Sequence, residues 1–154
     1  MTENNIQKRI VGWREAISIP SLGVEEIIAK VDTGARTSAI HAFFVEPFTG
    51  ADGKEWVRFG LHPIRKEQQP EITVEAPVKD RRQVSDSGGH TEERYVIETE
   101  LHVGDEKVVA EVTLTDRESM AYRMLLGRTA LRGHFIVDSD LSYACSTPRL
   151  HPAD

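Results

Sequence analysis

One cysteine, Cys145, stands alone in a chain of 154 residues, so no internal disulfide forms and the fold has to be held by its core. Aromatic residues make up 6% of the chain, and no apolar run approaches the roughly 20 residues that span a bilayer. The opening Met1-Thr2-Glu3-Asn4-Asn5 has no basic segment leading into an apolar one, the pattern of a secretory leader; with the lone cysteine, this makes the cytoplasm the expected location. Cations are in the minority, with 19 Lys and Arg against 25 Asp and Glu and a formal net charge of -6. That balance argues against general nucleic-acid binding, which needs clustered Lys and Arg to displace counterions from phosphates. No Gly-rich loop runs into Lys-Ser or Lys-Thr, no His-Glu-x-x-His is present and no cysteines are paired, so neither a nucleotide cofactor nor a zinc centre has a local motif. The six histidines, His41, His62, His90, His102, His134 and His151, are scattered. Peptides, proteins and small molecules remain as partners.

Hydrophobic residues account for 39% of the chain, enough for one core and too few for two independent ones, so residues 1–154 are expected to form one domain. Short runs with a period of two recur between Gly, Pro, Asp and Asn clusters, which reads as β structure. Ile97, Thr99, Leu101 and Val103 share one face, and Gly104-Asp105 separates this run from Val108 to Leu114, giving a hairpin with a short turn. Further strands are expected at Arg9 to Trp13, Glu15 to Ile19, Glu26 to Val31, Ala39 to Val45, Trp56 to Leu61, Ile72 to Ala76 and Phe135 to Val137. Pro47 to Gly53 and Pro63 to Pro70 read as loops, and the tail after Ser142 as a fraying or edge segment. One short helix starts near Thr129. The pattern predicts a mainly β fold, a small closed β-barrel with one short C-terminal helix.

The chemistry concentrates at Val31-Asp32-Thr33-Gly34-Ala35, where an apolar strand ends in a turn carrying one carboxylate. Hydrolysis of a peptide bond without a metal or a covalent intermediate needs one group to take a proton from water and another to protonate the carbonyl. Two carboxylates in contact do both, because like-charge repulsion keeps one proton on the pair. Gly34 relieves crowding at such a turn, Thr33 braces it by hydrogen bonding, and Ala35 leaves room for close approach. The plain alternative is a turn Asp whose carboxylate caps local amides. A catalytic Asp32 needs a second carboxylate, either from Asp86-Ser87-Gly88 in the same chain or from Asp32 of a second copy across a two-fold axis. The run Arg81-Arg82-Gln83-Val84-Ser85 is not apolar, which counts against the first and assigns Asp86 to a hairpin tip with Gly88-Gly89-His90.

The order of Asp32-Thr33-Gly34-Ala35, a glycine hairpin around Ser87-Gly88-Gly89, and Met124-Leu125-Leu126-Gly127-Arg128 resembles one subunit of a retropepsin-like aspartic protease. Gly12-Trp13-Arg14-Glu15, Arg94-Tyr95-Val96-Ile97 and Leu114-Thr115-Asp116-Arg117 extend the likeness to a bacterial family labelled ATP-dependent zinc protease. The resemblance implies a homodimer with a shared Asp32 dyad, Thr33 and Gly34 in the catalytic turn, Ser38 as a buried hydroxyl behind it, and Ser87, Gly88 and Gly89 in a flap that closes over substrate. It implies neither a metal nor another cofactor, although the zinc label keeps a zinc-dependent peptidase as an alternative, with His41 and His90 nearest the implied cleft.

Retropepsins usually carry an acidic residue after Asp-Thr-Gly-Ala, and this chain has Arg36, so Arg128 loses the partner expected for it. Arg36, Arg128, Arg81, Arg82 and Arg94 then make a basic rim suited to carboxylates. Relatives are associated with ATP-grasp ligases that add glutamate. The substrate expected is therefore a Glu-rich or polyglutamyl peptide, and such a ligase is a candidate partner. A non-catalytic module that binds acidic peptides or the ligase is the alternative from a different class.

Overall fold

A computed structural model describes residues 7–85, 88–116 and 121–152. The strands are β1 (Arg9–Val11), β2 (Arg14–Ile19), β3 (Val24–Asp32), β4 (Ser38–His41), β5 (Phe44–Thr49), β6 (Glu55–Leu61), β7 (Ile72–Pro77), β8 (Asp80–Ser85), β9 (Thr91–Val103), β10 (Glu106–Thr115), β11 (Met124–Gly127) and β12 (Phe135–Val137). A 3₁₀ turn, Pro20–Leu22, joins β2 to β3, and α1 (Arg128–Leu131) follows β11 directly. The fold is mainly β with one short helix, as the alternation predicts.

The largest sheet runs β10-β4-β11-β3-β2-β9-β8, and β10 pairs with β9 as well, so the pairings from β10 through β4, β11, β3, β2 and β9 return to β10. A three-stranded sheet, β5-β6-β7, and a two-stranded ribbon, β1-β12, complete the set. One cluster of buried apolar side chains joins them, with Ile17, Ile27, Ile40, Phe59, Ile97, Leu101, Met124 and Leu126 at its centre. These are the inward positions of strands whose side chains alternate between two faces.

Three expectations about the strands need correction. Residues 81–85, too polar to read as a strand, form most of β8, paired with β9 from Asp80↔Val96 to Ser85↔Thr91. The ribbon's charges are held by ion pairs rather than by a buried face, so no apolar period marks it. The run Ala39 to Val45 breaks in two, because Ala42 N–H donates to Thr115 while Phe43 N–H donates to Gly60 in the other sheet. Pro47 lies inside β5 rather than in a loop, and tolerates that place because β5 is an edge strand.

The tail is anchored. Glu15, fully buried, accepts the N–H groups of Gly12 at 2.7 Å, Ala144 at 2.7 Å and Cys145 at 3.3 Å, and the Ser146 hydroxyl at 2.6 Å. Glu26, 4% exposed, accepts Arg149 N–H and Leu150 N–H, each at 2.7 Å, and the His151 Nδ1–H at 2.8 Å. Nε2 of His151 accepts from Arg65 N–H at 2.9 Å, which fixes the neutral tautomer with its proton on Nδ1. Burial pushes the Glu26 pKa up, but these donors outweigh it and hold the carboxyl below its ordinary value.

Candidate active site

Asp32 is the last residue of β3, and the strand that supports it comes from far down the chain. β11 lies between β3 and β4, parallel to the first, with Leu126↔Val31 and Gly127↔Asp32, and antiparallel to the second, with Leu125↔Ala39. The turn 33–37 therefore crosses over the end of β11. Gly127 is opposite Asp32, and a Cβ there would come within 2.6 Å of the Thr37 carbonyl carbon, so only glycine lets the turn lie this close. Ser38, fully buried, accepts the Gly127 N–H on its hydroxyl at 3.0 Å. The first N–H groups of α1 have no partner within the helix, and the turn supplies them: Arg128 N–H donates to Ala35 O at 2.8 Å and Thr129 N–H to Arg36 O at 3.1 Å.

On this base Asp32 is half-buried and its Oδ1 accepts Gly34 N–H at 3.0 Å. That bond is the local cap expected of a turn Asp. It uses one oxygen, and Oδ2 takes no hydrogen bond from any described residue, which leaves it for water or substrate. Thr33 and Gly34 are exposed at the tip. Arg128, deprived of an acidic partner by Arg36, sends its guanidinium to the carbonyls of Thr33 at 3.4 Å and Gly34 at 3.2 Å, and so braces the turn itself.

The other rim residues divide by partner. Arg82 on β8 and Arg94 on β9 are directly opposite each other, a like-charge pair that costs stability unless acids intervene. They do: Arg82 bridges Asp80 and Glu111, each at 2.8 Å, and Arg94 meets Glu92 at 3.0 Å. Arg81 is held by Glu55. Glu111 first and Asp80 second push the Arg82 pKa further up, while Arg82 holds the Asp80 carboxyl low. Arg36 is exposed at the turn. Gly88 and Gly89 are exposed between β8 and β9, with Gly89 at φ +84°, where glycine is favoured; Asp86 and Ser87 lie outside the described residues.

Lys30 was not singled out in the sequence and is exposed on β3. It is two residues before Asp32, on the same face of β3, and lines a pocket of about 200 Å³ with Arg94, Thr115, Tyr122 and Leu125. Among the described residues no carboxylate pairs with it. The signal was the strand period itself, counted back from Asp32. Among the described residues, no group of three or more His, Cys, Asp or Glu is arranged to hold a metal. His41 is buried with no hydrogen-bond partner on Nδ1, and burial pushes its pKa down, toward the neutral ring.

An Asp-Thr-Gly turn laid across a strand threaded between its two neighbours is the mark of a retropepsin-like protein. The profile described as "Retropepsin-like aspartic endopeptidase RimB" matches residues 10–148, and the chain belongs to this RimB-like family. Among curated relatives, a probable alpha-L-glutamate ligase of Shewanella pealeana is 45% identical over 136 residues, 88% of this chain and 30% of the ligase. One of Parasynechococcus marenigrum is 44% identical over 137 residues, 89% of this chain and 29% of that protein. The chain thus spans under a third of the curated relatives it matches. A solved structure, protein Lpg0085 of unknown function from Legionella pneumophila, superposes with a TM-score of 0.75 at 23% identity, covering 90% of this chain and 99% of that one. That likeness concerns the fold.

Proposed function

We propose that the chain is an aspartic-type peptidase whose dyad forms from Asp32 of two copies, acting on Glu-rich or polyglutamyl peptides. The observation that carries this reading is the braced turn: Asp32 fixed over Gly127, Ser38 and Arg128, with Oδ2 unengaged. One carboxylate, ionised, takes a proton from water as the water oxygen bonds to the scissile carbonyl carbon; its protonated partner gives its proton to the carbonyl oxygen. Collapse of the tetrahedral intermediate breaks the C–N bond, and the amine leaves with a proton returned from the dyad.

Three further features support it. The returning strand order suits a small closed barrel of the retropepsin-like type. The β1-β12 ribbon exposes Ile10 and Ile136 as cross-strand partners, 49% and 54% accessible, an apolar edge for a second copy. Lys30 and Arg94, which line one pocket, suit a substrate carboxylate, and relatives named probable alpha-L-glutamate ligases point to glutamate chains as substrate or to such a ligase as partner. The test is hydrolysis of glutamate-rich peptides by wild type and Asp32→Asn. Loss in the variant with the fold retained supports the reading; retained cleavage that chelation by EDTA stops would transfer it to a metal peptidase.

A further inference from the structure

Going back along β3 from Asp32, the same strand face presents Lys30 and Ile28. Lys30 lines the pocket of about 200 Å³ with Arg94 and Tyr122, and Ile28 a second pocket of about 100 Å³ walled by Arg14, Arg65, Lys66 and Tyr143. Tyr122 stands between the two. Its ring lines the first, its hydroxyl accepts from Arg14 Nη1 at 3.1 Å, and the Arg65 guanidinium lies 4.3 Å over its face. Arg65 and Lys66 thus bring two cations to a small concavity of an acidic protein, with Arg14 beside them held by the Ser142 hydroxyl at 2.7 Å and stacked on Tyr143. Among the described residues, no carboxylate forms an ion pair with Arg65 or Lys66.

The backbone around this pocket is unusual in the same place. Among the described residues, Lys66 at φ +69° and Tyr143 at φ +57° are the only non-glycine residues in the left-handed region, and both line it. Such conformations persist where the surroundings impose them, and they gather at functional sites. Here Tyr143 N–H is tied to Arg14 O at 3.0 Å, and Arg123 grips the loop carbonyls of His62 at 3.0 Å and Ile64 at 2.7 Å. Arg65 is pinned by its N–H to His151 at 2.9 Å and by its side chain to Ala121 O at 2.9 Å. These contacts hold Arg65 and its neighbours at the wall of the pocket.

We propose that this second pocket binds a carboxylate of the same acidic peptide, about four residues from the scissile bond. The spacing follows from β3: Ile28 is four positions from Asp32, about 13 Å at the rise of a strand, which four residues of extended peptide cover. Arg65, whose Nε is held by Ala121 O, offers its Nη groups to a carboxylate, and Lys66 adds a point charge. Acidic chains long enough to reach past Tyr122 are thereby selected over short ones. The inference rests on the reading of Asp32 as catalytic and of the substrate as acidic.

The test measures binding of short and long oligoglutamate peptides, and of a length-matched glutamine peptide, to Asp32→Asn protein by fluorescence anisotropy, so that cleavage does not intervene. Lys66→Gln, at an exposed side chain, is expected to weaken the long acidic peptide about fivefold while leaving the short and neutral peptides unchanged. Arg65→Lys, which keeps the charge and removes the fork, is expected to act in the same direction. Unchanged affinity for the long peptide in both variants overturns the proposal. So does competition by inorganic phosphate that Lys66→Gln abolishes while the long peptide binds as before, since the pocket is then a phosphate site. Length-dependent binding with no cleavage of any peptide by wild type supports this pocket and sinks only the peptidase reading.

Discussion

Gly127→Ala isolates the claim that a threaded strand positions the Asp32 turn. Its added Cβ would lie 2.6 Å from the Thr37 carbonyl carbon, 2.8 Å from the Thr37 oxygen and 2.9 Å from the Ser38 nitrogen, all backbone atoms. Ordinary carbon contacts are about 3.5–4.0 Å, so the backbone at 37–38 has to retreat by roughly 1 Å. Overpacking of this kind costs about 1–3 kcal/mol, and at about 2–4 °C per kcal/mol the melting temperature should fall by roughly 2–12 °C. The kinetic loss is larger in proportion, since a 1 Å misplacement of reacting groups costs about 100-fold in rate. The assay is kcat/KM on a glutamate-rich peptide beside a thermal melt. Ser38→Ala is the comparator: it adds no bulk and leaves the Gly127 N–H buried without its acceptor, at about 1–3 kcal/mol, with a smaller kinetic effect. If Gly127→Ala melts and turns over like wild type, the packing of β11 beneath the turn does not position Asp32 and the reasoning fails.

Other expectations follow from the same contacts. Glu26 has a folded pKa below its ordinary 4.5, so its contribution to stability is present above that value and is lost as pH falls through the lower, folded one; Glu26→Gln should lower stability at neutral pH and flatten the acid limb of urea-denaturation curves, and an unchanged limb would refute the anchoring role. Lys30→Gln should raise KM for acidic peptides more than Arg82→Ala does, because Arg82 is already engaged by Asp80 and Glu111; the reverse order in steady-state kinetics would restore the β8 arginines as the main attraction. Burial first, and then Glu15, push the Cys145 thiol up to about 12, so iodoacetamide at neutral pH should leave native protein unmodified and label it in urea, as mass spectrometry would show.

Local signals made much of this legible. The alternation at 97–103 and the Gly104-Asp105 turn lead to the β9–β10 hairpin, with Glu106↔Val103 next to the turn and Gly104 at φ +60°. Phe135–Val137 and the helix at Arg128–Leu131 lie where apolar runs and helix formers place them. The strand β8 escaped because its residues are polar, with Arg81 and Arg82 held by Glu55, Asp80 and Glu111, and such residues leave no hydrophobic period to count. The tail escaped because its partners are two buried glutamates about 125 residues away in sequence, and a carboxylate gathering backbone N–H groups at that distance has no local signature. At the site, Asp32 and Gly127 could be paired by motif order. The Arg128 brace and the Lys30 pocket depend on which side chains the threaded strand brings to one face, and this the sequence order alone does not determine.

The shared dyad is tested most directly by subunit mixing. Wild type and Asp32→Asn are co-refolded at constant total concentration, and peptidase activity is followed against the wild-type fraction. With one Asp32 from each copy, only pairs of wild-type subunits are active, so activity falls with the square of that fraction, to about one quarter when half the subunits are wild type. A linear fall would mean that each subunit carries its own complete site, and would contradict the account.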